Sequence, residues 1–186
     1  MYWLGFGPVN FLWFSDIALV MTCLALWREN SFLASMAAAG TLLPEVVWSL
    51  DFLLHLSFGE RVTGAAAYMF DPALPLHLRI LSGFHLLLPP VLLWTLHRLG
   101  YDQRGWKAQT LLAWIILPIS YLASDPEHNV NWVYGPGVTQ EILPEPLYVI
   151  LLMIALPVLI ILPTHGLLRN LYPPPCASSQ RTERGH

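Results

Sequence analysis

The feature that most restricts what this chain can fold into is the length of its apolar blocks. Apolar stretches recur at 9–27, 31–58, 75–98, 108–123 and 145–168. A helix of roughly 17–25 residues, rising about 1.5 Å per residue, crosses the hydrocarbon core of a bilayer. Backbone polar groups inside that core must be satisfied within the segment, so such blocks predict helices. Composition agrees, with 55% hydrophobic and 11% charged residues among 186. A soluble domain of this size carries more surface charge. The expected fold is all-α: a polytopic transmembrane bundle of about five helices, forming one domain over 1–170, with a polar, disordered tail over 171–186. No basic region precedes the first apolar block, so that block is expected to be retained rather than cleaved as a signal.

Within these blocks, prolines mark where helices should deform. Pro44 lies mid-way along 31–58, a stretch about 42 Å long as a straight helix, and is expected to kink it and free the carbonyl of Gly40. Pro89-Pro90 should distort the third span. The run Ala34, Ser35, Ala37, Ala38, Ala39 and Gly40 allows a neighbouring helix to approach closely. The 124–144 connection is long for a compact bundle, and Trp132 and Tyr134 predict that it packs over the helices as a structured loop.

Charge sets the expected orientation. Arg28, Arg98, Arg104, Lys107, Arg169, Arg181 and Arg184 fall on one side of five alternating spans, and Arg61 on the other. The positive-inside rule then predicts an outer N-terminus and a cytoplasmic C-terminus, in the cell inner membrane. Lys107 is the single lysine and there is no basic stripe, so no nucleic-acid partner is expected. The bilayer itself is the expected partner, with a homo-oligomer or a membrane protein partner left open. Cys23 and Cys176 do not form a disulfide framework and are expected to be unpaired.

With that orientation, ionisable residues gather at one depth in the outer half. Glu45, Trp48, Asp51 and His55 share an arc of about 120° on a helix. Arg79, Ser82 and His85 share another; His77 points away, and Asp16 lies at similar depth. A charge near the bilayer centre costs about 2.5–3.5 kcal/mol, so Glu45, Asp51 and Arg79 unpaired would cost on the order of 8–10 kcal/mol together. The expected resolution pairs Arg79 with Asp51 or Glu45, with a histidine completing the network. His165 has no expected partner.

Several functions fit such a cluster. One is a pocket open to the outer face that binds or modifies a lipid-like or small anionic ligand. Arg79 would hold the anion, with His55, Trp48, Asp16, Asp71, Asn131 and Trp132 as further candidate ligand-binding residues. Glu45, Asp51 and His85 are the candidate acids and bases. Another is a non-enzymatic scaffold or transporter subunit in which the same groups form a buried interhelical clamp. Haem or a metal could be held by His55 with His77 or His85 and Glu45, but no ligand-spacing motif supports it, and no metal site is expected. Ser82 beside His85, and the loop histidine His128, are weaker candidates.

The runs WFSDIAL (13–19), LLPEVVWSLDFL (42–53), YMFDPALPLHLR (68–79) and NVNWVYGPG (129–137) resemble an uncharacterised bacterial group of membrane-associated proteins, a resemblance that implies no activity. LPLHL at 74–78, followed by the Asn-Xaa-Asn-aromatic loop, is similar to the YwaF-like integral-membrane family. That family is linked to an animal lipid acyltransferase carrying a cysteine directly after the LPLHL-type run. Here the position is Arg79, so cysteine-based acyl transfer does not carry over, and the resemblance implies only lipid-facing chemistry.

Overall fold

A computed structural model describes residues 7–173, and every regular element within them is helical. Five helical rods form. The first is α1 (Phe14–Arg28), preceded by a 3-10 turn at Pro8–Leu12. The second is α2 (Ser31–Phe58). The third is α3 (Leu76–Ser82) followed directly by α4 (Phe84–Leu99). The fourth is α5 (Gly105–Ala123). The fifth runs from α6 (Glu145–Leu156) through a π-helical stretch (Pro157–Ile161) into α7 (Leu162–Leu171).

Three rods are long and apolar enough to cross a membrane: Ser31–Phe58, Leu76–Leu99 and Glu145–Leu171. The other two expected spans are shorter or more polar. The first was expected to begin at residue 9. It begins at Phe14, because Trp13 is extended (φ −58°, ψ 135°) and Pro8–Leu12 closes as a separate 3-10 turn. The resulting 15-residue helix is about 22 Å long. α5 opens on the polar Lys107 and Gln109 and does not reach the apolarity of the three long rods.

α2 is the central rod, in contact with α1, α4, α5, α7 and the π-helical stretch. Its small residues explain this. Ala34, Ser35, Ala37, Ala38, Ala39, Gly40 and Thr41 are all buried, so neighbouring backbones come close on more than one side. A Cβ on Gly105 would lie 2.8 Å from Ser35, which seats the first turn of α5 directly on α2. Ser35 Oγ also accepts the N–H of Asp102 at 2.8 Å. The main apolar core joins Ala18, Met21 and Ala25 of α1 to Leu42 of α2, Leu88, Leu92 and Leu96 of α4, and Leu168 of α7.

The turn between α1 and α2 is built by local chemistry. Glu29 closes α1 in the left-handed region (φ 48°), and the Asn30 side chain accepts the Leu33 N–H at 3.0 Å as the N-cap of α2.

The prolines act through the carbonyls they release. α2 stays helical across Pro44, and α4 across Pro89-Pro90. The break in the third rod comes earlier than expected, at Gly83, whose N–H turns back to Ile80 O at 3.0 Å. Pro89 cannot donate to the carbonyl of His85, and Ser49 Oγ of α2 donates to that carbonyl instead, at 3.3 Å. Pro157 leaves the carbonyl of Met153 without its helical donor, and the indole N–H of Trp114 on α5 fills that place at 2.9 Å. In both cases a polar side chain from a neighbouring rod satisfies a backbone group that has no water to turn to in an apolar setting.

The 124–144 connection is an ordered cap, as its aromatics suggested. Asn131 Oδ1 accepts the Phe14 N–H at 3.0 Å, and its Nδ2 donates to Leu12 O and Ser120 Oγ. One loop residue thus caps α1 and ties it to α5. Asn129, Asn131 and Trp132 all take positive φ, a conformation that asparagine tolerates and tryptophan rarely adopts. Tyr134 anchors the loop through its hydroxyl on the carbonyls of Tyr121 and Ser124.

Residues 174–186 of the expected tail, with Cys176, Arg181 and Arg184, lie outside the described residues. Tyr172, placed at the start of that tail, instead packs against the bundle and donates its hydroxyl to Leu93 O at 3.0 Å.

Candidate functional site

The polar residues of α2 reach three different ends. Glu45 lies one residue after Pro44 and is 4% exposed. Its Oε2 stands 2.7 Å from Nδ1 of His85 on α4. Such a bond fixes the proton of the neutral imidazole on Nδ1, donating to Glu45, and leaves the lone pair on Nε2. Two rings hold the imidazole in place. Trp48 stacks on it with centroids 4.5 Å apart, and Phe84 at 4.1 Å. A histidine oriented by a carboxylate, with its second nitrogen unused, is an arrangement that can take up or give a proton.

Asp51, on the same face of α2 and 3% exposed, does something else. Its Oδ1 accepts the backbone N–H groups of Val62, Thr63 and Gly64, and its Oδ2 accepts that of Ala66 at 3.0 Å. Four backbone donors converge on one carboxylate, and the 62–66 segment wraps around it as an anion-binding nest. That wrap sets the next turn, Ala67–Phe70, over α2. Phe70 stacks on His55 at 4.0 Å and on Phe52 at 5.4 Å, and Tyr68 lies against Trp48 at 6.3 Å. Asp51 and His55 lie one turn apart on the same arc of α2, and each has a partner in the 62–70 segment.

The Tyr68 hydroxyl sits beside Ser82 and Trp48, and burial pushes its pKa up to about 12, with the nearby charge of Glu45 acting in the same direction. Ser82 Oγ donates to Leu78 O at 3.1 Å. It is a packed helix residue and not a partner of His85.

Arg79 departs most from expectation. Its pairing with Asp51 or Glu45 does not form, because those carboxylates are already engaged by the 62–66 backbone and by His85. The guanidinium donates from Nη1 to Met69 O at 3.4 Å. Its Nε is buried and has no hydrogen-bond partner. Arg79 thus sits beside the 67–70 turn, on the segment that leads to His85, with donors to spare.

Asp16 is buried in α1, and its charge reaches the Tyr68 hydroxyl. The other candidates lie apart from this cluster. Asp71 Oδ1 accepts the Ala73 N–H, capping a turn at the surface. His77 is exposed. Asn131 is committed to the cap on α1 and α5, and Trp132 beside it is partly exposed. His128 pairs with Asp125 at 2.8 Å on the exposed loop, where the His128 N–H bonds hold the Asp125 carboxyl below its ordinary range. Cys23 is exposed and unpaired. His165 has a partner after all: the Tyr101 hydroxyl lies 2.7 Å from its Nδ1, with Trp106 alongside.

Among the described residues, no group of three or more His, Cys, Asp or Glu side chains converges as a metal site. Of the three histidines named for haem or a metal, His55 faces Phe70, His85 faces Glu45 and His77 is exposed, so they have separate surroundings.

Sequence reading did not anticipate Tyr68 and Phe84, which complete the aromatic walls of the cluster. The spacing of Tyr68 from the LPLHL run carries no helical period, and the fold places it through Asp51. No protein-family model, curated protein or solved structure matches the chain.

Proposed function

We propose that this chain is a multi-pass protein of a bacterial inner membrane that binds an anionic group, of a lipid-like or small molecule, at Arg79. The Glu45–His85 pair is the acid–base group available beside it. The observation that carries this reading is the state of Arg79: a cation in an apolar span with a buried Nε–H that has no acceptor, and one long bond to a carbonyl. Arg79 is half-buried with its Nε closed off, and a cation in an apolar span is stabilised by an anionic partner. A planar guanidinium with free donors matches a phosphate or carboxylate.

The bias of basic residues supports an outer N-terminus and a cytoplasmic C-terminus. The bacterial setting rests on the resemblance of the four sequence runs. A reporter fused after His186 that is active only in the cytoplasm agrees with this orientation; activity only outside would overturn it.

A second reading, a scaffold in which these groups only clamp helices, is favoured by the partners that Glu45 and Asp51 find within the chain. Native mass spectrometry of gently purified wild type and Arg79→Gln separates the two. The binding reading expects a phosphate- or carboxylate-bearing adduct on the wild type that the variant lacks, with helicity unchanged. A wild type with no adduct, or an adduct equally retained by Arg79→Gln, would overturn it.

A further inference from the structure

We infer that the opposite end of the bundle is a docking surface for anionic phospholipid headgroups. This inference rests on the membrane reading above but not on the Arg79 site. The end is formed by the last turns of α1, α4 and α7 and the first turn of α5, held together by Asp102 on Ser35 and Tyr101 on His165. It carries Arg28, Arg98, Arg104, Lys107 and Arg169 against Glu29 and Asp102.

Four of those cations stand over aromatic rings: Arg28 over Trp27 at 5.9 Å, Arg98 over Trp94 at 5.2 Å, Arg104 over Phe32 at 5.7 Å and Lys107 over Trp106 at 5.8 Å. The same pairing does not recur at the other end among the described residues. The connections there carry Glu60, Asp71, Asp125, Glu127 and Glu141 with Arg61.

The pairing has a physical consequence. An amphipathic ring lies at the boundary of the hydrocarbon, and a cation over its face is held at headgroup level. Trp27 is 79% and Trp94 50% exposed, apolar surface that a bilayer covers and water does not. The charges are not spent internally to the same degree. Arg104 is forked onto Asp102 by bonds of 2.7–3.3 Å. Arg98 has only a loose 3.6 Å contact with the exposed Glu29, and it also lines a shallow crevice with Leu26, Thr95 and Leu99 between α1 and α4. Among the described residues Lys107 and Arg169 have no ion pair either, but Arg28 and Arg98 alone stand over exposed tryptophans, which makes them the cations best placed to meet phosphate at the bilayer boundary.

The test uses spin-labelled phosphatidylglycerol and phosphatidylcholine in vesicles holding the full chain, and reads the fraction of each lipid immobilised at the protein. The wild type should select phosphatidylglycerol. The Arg28→Gln/Arg98→Gln double variant should lose selectivity by roughly fivefold per cation removed, and Arg28→Lys/Arg98→Lys should keep most of it. Equal immobilisation of the two lipids by the wild type, or undiminished selectivity in the glutamine variant, would overturn the inference. A chain that fails to enter phosphatidylcholine vesicles at all would overturn the membrane reading along with it.

Discussion

Glu45 and Asp51 occupy one face of α2, six positions apart and almost equally buried, yet they are used in opposite ways. Asp51 is bound by backbone N–H groups of a loop. Glu45 is bound by one titratable side chain from another helix. Backbone donors cannot change protonation, so the Asp51 site is a fixed piece of architecture. An imidazole can, so the Glu45 site has chemistry available to it. The difference teaches that burial and charge alone do not mark a functional carboxylate; the nature of its partner does. Arg79 extends the contrast, since neither carboxylate turned to it.

This comparison can be broken by substitution. Glu45→Ala should have the largest effect, because it strands His85 between two rings without its acceptor. A loss of about 3–5 kcal/mol is expected for removing one member of a buried pair, read as a drop in thermal midpoint in detergent. Glu45→Gln, which keeps a hydrogen-bonding group, should recover much of that loss; if it melts with the alanine variant, the charge and not the bond is what matters.

Asp51→Ala should come next, at about 2–4 kcal/mol, because Val62, Thr63 and Gly64 are exposed and water can replace part of what is lost. Its signature should be local: the 62–66 segment should become the first site of limited proteolysis while the helices stay intact. Proteolysis spread evenly over the chain would mean that Asp51 holds the bundle and not the loop.

The smallest effect should come from Tyr68, which Asp51 places beside the Glu45 site. Its pKa rises from the ordinary value of 10 to about 12 on folding. The folded state therefore holds the proton more tightly, and this contribution is complete below pH 10 and lost as pH rises toward 12. Melting curves between pH 10 and 12 should fall less steeply for Tyr68→Phe than for the wild type. Identical slopes would place the hydroxyl in water, and with it the 67–70 turn.

How much of this was legible in the sequence depends on which partners leave a mark there. The five helices follow from apolar length, and the centrality of α2 from its run of alanines and Gly40. The shared face of Glu45, Trp48 and Asp51 follows from helical spacing. The pairing of Arg79 was misjudged because the cost of an unpaired charge says that a partner is needed and not which one: the 62–66 backbone takes Asp51 and His85 takes Glu45. The four donors to Asp51 are backbone groups, which any sequence carries and none advertises. Tyr101 and His165 meet across 64 positions, with no local pattern to connect them. One rule, applied in the sequence only to Pro44 and the carbonyl of Gly40, was available at the other prolines too. Each mid-helix proline names the carbonyl four residues earlier as seeking a donor, which points to the surroundings of His85 and Met153, where Ser49 and Trp114 are found.

The central claim is that Arg79 holds a ligand and does not hold the protein together. The thermal midpoint of Arg79→Gln against wild type stripped of bound molecules by detergent tests it most directly. If Arg79 serves a ligand, the midpoints should lie within about 2 °C of each other, a difference worth no more than about 1 kcal/mol. A fall of the size expected for Glu45→Ala would show that the guanidinium belongs to the scaffold, and would contradict it.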